Sequence, residues 1–180
     1  MRLFVSLPLD DAMRRHAGAV ADAISVRDDA HDIRWVPPQN LHVTLKFLGE
    51  VADAEIPAVA DALRALPSPG PVRIAVGAPD PKRHRGRVHL ITAEVIDAGG
   101  NLALLRESIE VALEPLGFAR EKRAFWPHVT LGRSRQGVRM TFERFAARGV
   151  VSKIGHFDLM SSRLSGSTPS YIPVATFRLE

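Results

Sequence analysis

Hydrophobic and polar residues alternate along this chain with two different periods. Runs in which every second residue is apolar predict β-strands, and runs in which apolar residues recur every three or four positions predict amphipathic helices. The two kinds of run follow one another from the first residues to the last, which predicts an α+β fold. Predicted strands cover residues 2–9, 33–36, 41–48, 71–78, 87–95, 128–133, 156–165 and 171–179.

Helix-period runs fall between these strands. Asp10 is suited to cap the first of them, and Pro57 is tolerated in the first turn of the second. The segment PDPKRHRG, residues 79–86, is predicted to be a basic loop. No low-complexity segment or long linker interrupts the pattern, so we expect residues 1–180 to form a single two-lobed domain. Predicted helices cover residues 10–25, 53–66 and 101–116, with a short one around Phe142 to Ala147.

Composition narrows the class of protein. With 180 residues, 46% of them hydrophobic, the chain can bury a core without covalent crosslinks. The absence of cysteine excludes thiolate nucleophiles, iron–sulfur clusters and cysteine-bound zinc, and it fits a reducing compartment. The apolar run from Leu3 to Leu9 is too short to span a membrane and poorly flanked for a signal peptide. We expect a cytoplasmic monomer that does not associate with membranes.

Charge is concentrated in the middle of the chain. The net charge is +4, yet residues 81–140 alone hold eleven Lys or Arg against six Asp or Glu. Such a region attracts a polyanion, although a solvated, arginine-rich surface is an equally good interpretation. In AREKRAFW, residues 119–126, cations lie beside aromatic residues, a combination that suits phosphates and stacked bases.

One tetrapeptide, HVTL, occurs twice, at residues 42–45 and 128–131, on two predicted strands. Side chains on a strand alternate between faces, so the histidine and threonine of each copy share one face while valine and leucine share the other. Burial of the apolar pair directs the polar pair outward. The spacing, close to half of the chain, suggests two related lobes that face each other across a cleft.

Two histidines suit the cleavage of a phosphodiester without a metal. One imidazole accepts a proton from the attacking oxygen and the other donates a proton to the departing oxygen. The threonine hydroxyls are hydrogen-bond donors for phosphate oxygens, and Arg133 is a candidate for stabilising the charge of the transition state. A single His-x-Thr is more often a polar pair on a solvated face, and it is the repetition that favours catalysis. No HExxH, His-x-His or cysteine pair predicts a metal site.

Large aromatic residues leave alternatives open. Trp35 and Trp126 are predicted to pack in the core because they bury much apolar area. Phe4 and Tyr171 fit either the core or the wall of the cleft.

The chain resembles a known family over its whole length. The segments MRLFVSLPL, WVPPQNLHVTLKFLGE, RAFWPHVTLGRS and LMSSRLSGSTPSYIPVATFRL are similar to those of the bacterial and archaeal RNA 2',3'-cyclic phosphodiesterases, also called 2'-5' RNA ligases, of the two-histidine phosphoesterase superfamily. The resemblance implies a bilobal fold with two pseudo-symmetric lobes, in which antiparallel sheets flanked by helices surround a central cleft.

The resemblance also implies roles for individual residues. His42 would donate a proton to the O3' leaving group, and His128 would activate water, so that a 2'-phosphate end is formed. Thr44 and Thr130 would bind the phosphate, with no metal or nucleotide cofactor, and the substrate would be RNA with a 2',3'-cyclic phosphate end, tRNA fragments included. Some relatives also join RNA ends through a 2'-5' bond. The expected substrate-binding residues are Arg133, Lys46, Arg123, Phe4 and Tyr171.

Two other functions remain open at this point. A non-catalytic module could use the same basic cleft to hold an RNA end, although binding alone gives no reason for two His-x-Thr pairs. A two-histidine enzyme could act on another small cyclic phosphodiester. A requirement for the ribose 2'-oxygen of an RNA end would distinguish the RNA enzyme.

Overall fold

A single β-sheet of nine strands forms the frame of the protein in a computed structural model that describes residues 1–142, 149–165 and 168–180. The strands follow the order β7-β4-β5-β6-β3-β1-β8-β9, with the two-residue β2 paired to β6. The strands are β1 (Arg2–Pro8), β2 (Arg34–Trp35), β3 (His42–Glu50), β4 (Val72–His84), β5 (Arg87–Asp97), β6 (His128–Val138), β7 (Val150–Ile154), β8 (His156–Ser165) and β9 (Thr168–Arg178).

In the described residues, three α-helices accompany the sheet: α1 (Asp11–Ser25), α2 (Ile56–Arg64) and α3 (Asn101–Leu113). Asp10 caps α1 by accepting a hydrogen bond from the backbone N–H of Met13 at 2.8 Å. Helix α1 contacts β4, β6 and β7, whereas α3 contacts β3, β4 and β5. The buried faces of the helices and the strand residues that point toward them form one continuous hydrophobic cluster. No helix in the described part of the chain is long and apolar enough to cross a membrane.

Two halves of the sheet meet at its middle. Strands β7, β4, β5 and β6 form one half, strands β3, β1, β8 and β9 form the other, and the pair Val43 and Val129 joins them. The inner strand of each half begins at the histidine of an HVTL motif. This arrangement confirms the predicted two-lobed α+β fold and brings the motifs together at the junction.

The hairpin formed by β4 and β5 corrects one prediction. Residues 79–86 were expected to form a loop, but β4 continues through Pro79 and Pro81 to His84. Strand β7 pairs with β4 from Val72 to Val76, and beyond that point β5 is the strand that pairs with β4 among the described residues. Proline is tolerated there because its missing N–H leaves no ladder bond broken, and a register shift between Val76 and Pro79 accommodates the change.

Other elements differ in smaller ways. The helix expected over 53–66 is shorter, with Pro57 in its first turn as predicted. Strand β6 extends five residues further than expected, to Val138. The five-residue edge strand β7 was not predicted. The short helix expected around Phe142 to Ala147 lies outside the described residues, apart from Phe142 itself.

Candidate active site

The two HVTL motifs meet in antiparallel register. Val43 and Val129 are fully buried and lie directly opposite each other. Continuing this register by one residue in each direction sets position 42 opposite 130 and position 44 opposite 128. The polar side chains of both motifs therefore share one face of the sheet, with each histidine across from the threonine of the other copy.

That face lines a cavity of about 340 Å³. No Asp or Glu is among the described residues that line it, so phosphate oxygens would meet no carboxylate there. The wall includes seven of the predicted site residues, namely His42, Thr44, His128, Thr130, Arg133, Phe4 and Tyr171. It also includes residues that the sequence did not single out, among them Arg2, Asn40, Phe47 and Ser162.

Both imidazoles are held in the same way. Nδ1 of His42 lies 2.7 Å from the carbonyl oxygen of Asn40, and Nδ1 of His128 lies 2.9 Å from the carbonyl oxygen of Trp126. A carbonyl oxygen can only accept, so each Nδ1 carries the hydrogen and donates it. The neutral form of each ring then has an unprotonated Nε2, which is free to act as a base.

The surroundings of His42 are aromatic. Its ring centroid is 5.0 Å from that of Phe4 and 5.3 Å from that of Tyr171, which meets it edge-on. Nε2 of His42 is 3.2 Å from Oγ1 of Thr44. Burial lowers the pKa of His42, and the charges of His128 and Arg133 lower it further, while the hydrogen bond to Asn40 opposes these effects. Burial also raises the pKa of Tyr171.

His128 lies in a different environment. The indole ring of Trp126 stacks on its imidazole with the ring centroids 4.2 Å apart, and Lys82 Nζ lies 4.1 Å from the centroid of the same indole. Asp80 accepts a hydrogen bond from Lys82 and holds it there. Burial lowers the pKa of His128, and the cationic Arg133 and Lys82 lower it further, against the hydrogen bond to Trp126. Two fixed cations thus favour the neutral form of this imidazole.

Arg133 is the cation nearest to the motifs. Its Nη2 donates a hydrogen bond to Oγ1 of Thr130 at 3.4 Å. No carboxylate in the described ranges forms an ion pair with it, so its remaining N–H groups can bind an anion.

Lys46 is placed differently from the prediction. It was expected to bind substrate, but its side chain is buried in the core, where its Nζ pairs with Glu110 and donates to the carbonyl oxygen of Ala119 at 2.9 Å. The cause is a register shift: Ser6 is opposite Thr44 while Val5 is opposite Lys46, so Leu45 is an extra residue on β3. Alternation restarts after this bulge and brings Phe47 to the cavity instead.

Two other predictions are corrected in the segment before the second motif. Arg123, expected to bind substrate, is 87% exposed, pairs with Glu121 and does not line the cavity. Trp126, expected in the core, is 42% exposed because it covers His128 at the rim of the cleft. Trp35 packs against the core as expected. The described residues contain no group of three or more His, Asp or Glu side chains arranged to hold a metal ion.

Trp126 and Lys82 were not predicted to act together at the site. The sequence carried a partial signal, since Trp126 is two residues before His128, but Lys82 reaches it from another strand. Asn40 has the equivalent position before His42. A main-chain carbonyl two residues before each histidine is thus a shared feature that only the fold makes visible.

The chain is similar to known phosphoesterases in sequence. Residues 7–78 match the family described as LigT like Phosphoesterase. An RNA 2',3'-cyclic phosphodiesterase of Archaeoglobus fulgidus is 34% identical over 137 residues, which cover 74% of this chain and 72% of that protein. A protein of the same name from Methanothermobacter thermautotrophicus is 26% identical over 191 residues, covering 99% of both.

Solved structures agree. The crystal structure of TT0787 of Thermus thermophilus has a TM-score of 0.80 and 25% sequence identity, covering 99% of this chain and 98% of that chain. The shared fold, the sequence identity over most of the chain and the paired HVTL motifs lead to the same assignment. This chain belongs to the LigT-like family of two-histidine phosphoesterases.

Proposed function

We propose that this cyclic phosphodiesterase opens the 2',3'-cyclic phosphate at the end of an RNA strand and leaves a 2'-phosphate. The observation that carries the proposal is the placement of two imidazoles in one cavity, each with its Nδ1 hydrogen-bonded to a main-chain carbonyl oxygen. The same cavity contains Arg133 and no carboxylate among its described residues. The relatives from Archaeoglobus fulgidus and Methanothermobacter thermautotrophicus are named for this substrate, which supports the same choice.

In the proposed reaction a water oxygen attacks phosphorus while the bond from phosphorus to O3' breaks. Nε2 of His128 accepts a proton from the water, and Nε2 of His42, protonated beforehand, donates its proton to O3'. The products are a 3'-hydroxyl and a 2'-phosphomonoester. His128 leaves the reaction protonated and His42 neutral, so exchange with solvent restores the starting state. Each transfer contributes roughly 10²- to 10⁴-fold to the rate.

The unequal surroundings of the histidines support this assignment of acid and base. Lys82 and Arg133 both favour neutral His128, which suits a base. His42 lies among aromatic rings, and the charges that lower its pKa are those of His128 and Arg133. When His128 is neutral and acts as the base, Arg133 is the one of these two charges that remains. The negative charge of a bound phosphodiester favours a protonated imidazole, and His42 is the ring that then takes up the proton.

The remaining cleft residues bind and orient the substrate in this proposal. The hydroxyl groups of Thr44 and Thr130 donate to the two non-bridging phosphate oxygens, and Arg133 neutralises the charge that develops on them. Phe4 and Tyr171 form the aromatic wall beside His42, against which the terminal nucleoside packs. None of these steps requires a metal.

A second activity uses the same atoms. If the 5'-hydroxyl of another RNA replaces water as the nucleophile, the same proton transfers form a 2'-5' phosphodiester bond. The rim beside His128 is open, with Trp126 42% exposed, so a nucleophile larger than water can approach the base.

The decisive experiment incubates the purified protein, in excess EDTA, with a short RNA that ends in a 2',3'-cyclic phosphate. We expect conversion to a 2'-phosphate end. A 3'-phosphate product, or a requirement for added divalent cations, would contradict the mechanism. Binding of the RNA without turnover would instead favour a module that only holds the end. Addition of a 5'-hydroxyl RNA to the same reaction tests for the 2'-5' joined product.

A further inference from the structure

The hairpin of β4 and β5 ends in a turn with an unusual residue. His84 pairs with Arg87, so Arg85 and Gly86 form a two-residue loop. Their φ angles are 49° and 74°, and two successive positive φ angles are typical of a type I′ turn. The sequence that best fits this turn is Asn-Gly, because asparagine tolerates the left-handed conformation better than a long side chain does.

Arg85 is the only residue other than glycine with a positive φ in the described ranges. A left-handed arginine is less stable than asparagine would be, and strained backbone positions of this kind cluster at functional sites. The side chain is also free to act: Arg85 is exposed and has no hydrogen-bond or ion-pair partner among the described residues.

Arg139, which follows the end of β6, lies beside the same turn. Arg83, Arg85 and Arg139 line a surface cavity of about 440 Å³ next to the turn. The guanidinium of Arg83 is fixed by a 2.8 Å hydrogen bond to the carbonyl oxygen of Met140. Arg139 is exposed and, within the described part of the chain, has no acidic partner. We call Arg83, Arg85 and Arg139 the arginine cluster.

Among the described residues, the one carboxylate that lines this cavity is already paired. Asp29 accepts hydrogen bonds from Arg27 at 3.0 and 3.1 Å, so its charge is compensated. The hairpin is held firmly beside it, since Arg87 donates to the carbonyl oxygen of Gly137 at 2.6 Å. The cluster is therefore a positively charged concavity on a tethered hairpin, which fits a phosphate group.

We propose that the arginine cluster binds a backbone phosphate of the RNA strand whose 3' end occupies the cleft. The proposal rests on the proposed function and extends it from the terminal nucleotide to a longer substrate.

Strand β6 connects the two sites. It runs from His128 and Thr130 in the cleft to Val138, next to Arg139, and the exposed Arg133 and Arg135 lie between. Strand β6 bulges between Arg133 and Val138, because these two residues pair with Leu90 and Val88 of β5. Measured along β5, only four residues, about 13 Å, separate the partners of Thr130 and Val138. A stacked nucleic acid strand covers the distance to Arg139 in about four or five nucleotides, at about 3.4 Å each. RNA shorter than a few nucleotides cannot reach the cluster.

The experiment compares kcat/KM for a 20-nucleotide RNA ending in a 2',3'-cyclic phosphate with kcat/KM for a 2',3'-cyclic mononucleotide. The variant R85N/R139Q removes two positive charges from the cluster. We expect the ratio of kcat/KM for the long RNA to kcat/KM for the mononucleotide to fall about tenfold. The long RNA should also lose some of its salt dependence, because a phosphate contact is lost. A series of RNA lengths should show the loss appearing between about two and six nucleotides.

A matched control removes the same charge elsewhere on the sheet. Arg73 and Lys153 are exposed, lie opposite each other on β4 and β7, and have no partner among the described residues. They are at the far end of β4, about 40 Å along the strand from Arg85. The variant R73Q/K153Q should leave the ratio unchanged. If the ratio falls equally in both variants, the effect comes from the net charge of the protein alone, and the proposal is overturned.

Stability gives an independent readout. Arg85→Asn alone should raise Tm by about 1–3 °C, because asparagine fits the turn, while it weakens RNA binding. A loss of binding therefore cannot come from unfolding. A ratio unchanged in R85N/R139Q overturns the proposal.

Binding separates failure of this inference from failure of the proposed function. The Kd for a 20-nucleotide RNA with a 2'-phosphate end, measured by fluorescence anisotropy, does not depend on turnover. If the wild-type protein hydrolyses no cyclic phosphate, the proposed function fails, yet a higher Kd in R85N/R139Q than in R73Q/K153Q still supports the cluster as an RNA site. An unchanged Kd in both variants rules it out.

Discussion

Val43 lies directly opposite Val129 on the neighbouring antiparallel strand, and this pair joins the two halves of the sheet. Both side chains are fully buried, so their neighbours on each strand are turned to the opposite face. The two copies of the HVTL motif thus contribute side chains to one site. The core-facing valines set the register, and the register decides which polar groups face each other.

The first prediction concerns the two histidines. Asparagine can donate from its side-chain nitrogen to the carbonyl that each Nδ1 now contacts, but it has no group equivalent to Nε2. His42→Asn and His128→Asn should each lower kcat for a 2',3'-cyclic phosphate by about 10²- to 10⁴-fold. Tm should change little, because the hydrogen bond to Asn40 or Trp126 is kept.

His31→Asn is the matched control, since His31 is exposed in a loop outside the cavity. Kinetics and thermal unfolding of all three variants should be measured together. Near-normal turnover in either motif variant, with normal turnover in the control, would remove that histidine from the mechanism.

Much of this site could be predicted from the sequence because it depends on local alternation. A strand that buries Val43 and Leu45 must turn His42 and Thr44 the other way, and a repeat of the motif indicates a second half. Strict alternation would also place Lys46 on that face, in line with its expected role in substrate binding. It failed there because the bulge at Leu45 depends on how β1 pairs with β3, and a single strand's sequence does not contain its partner's register.

The position of Trp126 escaped prediction for a related reason. A large apolar ring is expected in the core because it buries much apolar area. Here the indole of Trp126 covers His128 instead, and its other contact is the cation Lys82 from β4. The prolines of residues 79–86 favour a loop when the sequence is considered alone. Proline is compatible with the part of β4 that pairs with β5 alone among the described residues, and the sequence does not show which residues of β4 pair with β7.

The second prediction concerns pH dependence. Without substrate the pKa values of both histidines are lowered, and burial is the largest cause for each of them. The pKa given by the basic limb of kcat/KM, which reports the free enzyme, should therefore be lower than that of an ordinary imidazole. A bound phosphodiester carries negative charge and raises the pKa of His42, so the basic limb of kcat should lie at higher pH.

Measurement of both profiles with one cyclic substrate checks this. If the basic limbs of kcat and kcat/KM coincide, bound phosphate does not protonate His42, and the assignment of this residue as the acid is wrong.

The third prediction concerns Lys82. Its charge lowers the pKa of His128 across the indole of Trp126, so Lys82→Gln should raise that pKa. His128 must be neutral to act as a base, and the acid limb of kcat/KM should move to higher pH as a result. The pH-independent maximum should change less than the position of the limb. Proton NMR titration of His128 gives the same shift directly.

Lys122→Gln is the comparison for Lys82→Gln, because Lys122 is an exposed lysine of the segment before the second motif and does not line the cavity. Trp126→Phe, which keeps the main-chain carbonyl and an aromatic ring, should preserve most of kcat. An acid limb that stays in place in Lys82→Gln would show that this cation does not tune His128.

The fourth prediction concerns the buried ion pair beneath the first motif. Lys46 and Glu110 are almost completely buried, and Glu110 also pairs with Arg106 at 3.0 Å. The pair links α3 to the catalytic strand β3 just beyond the bulge. Lys46→Met leaves Glu110 with Arg106 as a partner, whereas Glu110→Gln leaves the buried Lys46 and the largely buried Arg106 without a counter-charge.

Glu110→Gln should therefore lower the free energy of unfolding by about 3–5 kcal/mol, more than Lys46→Met does. The double variant K46M/E110L should recover part of the loss relative to Glu110→Gln, because one buried cation is removed and apolar atoms fill the space. Urea unfolding of the three variants gives the values. Equal stability of Glu110→Gln and the wild-type protein would mean that Lys46 reaches water, and the bulge that buries it would then lose its explanation.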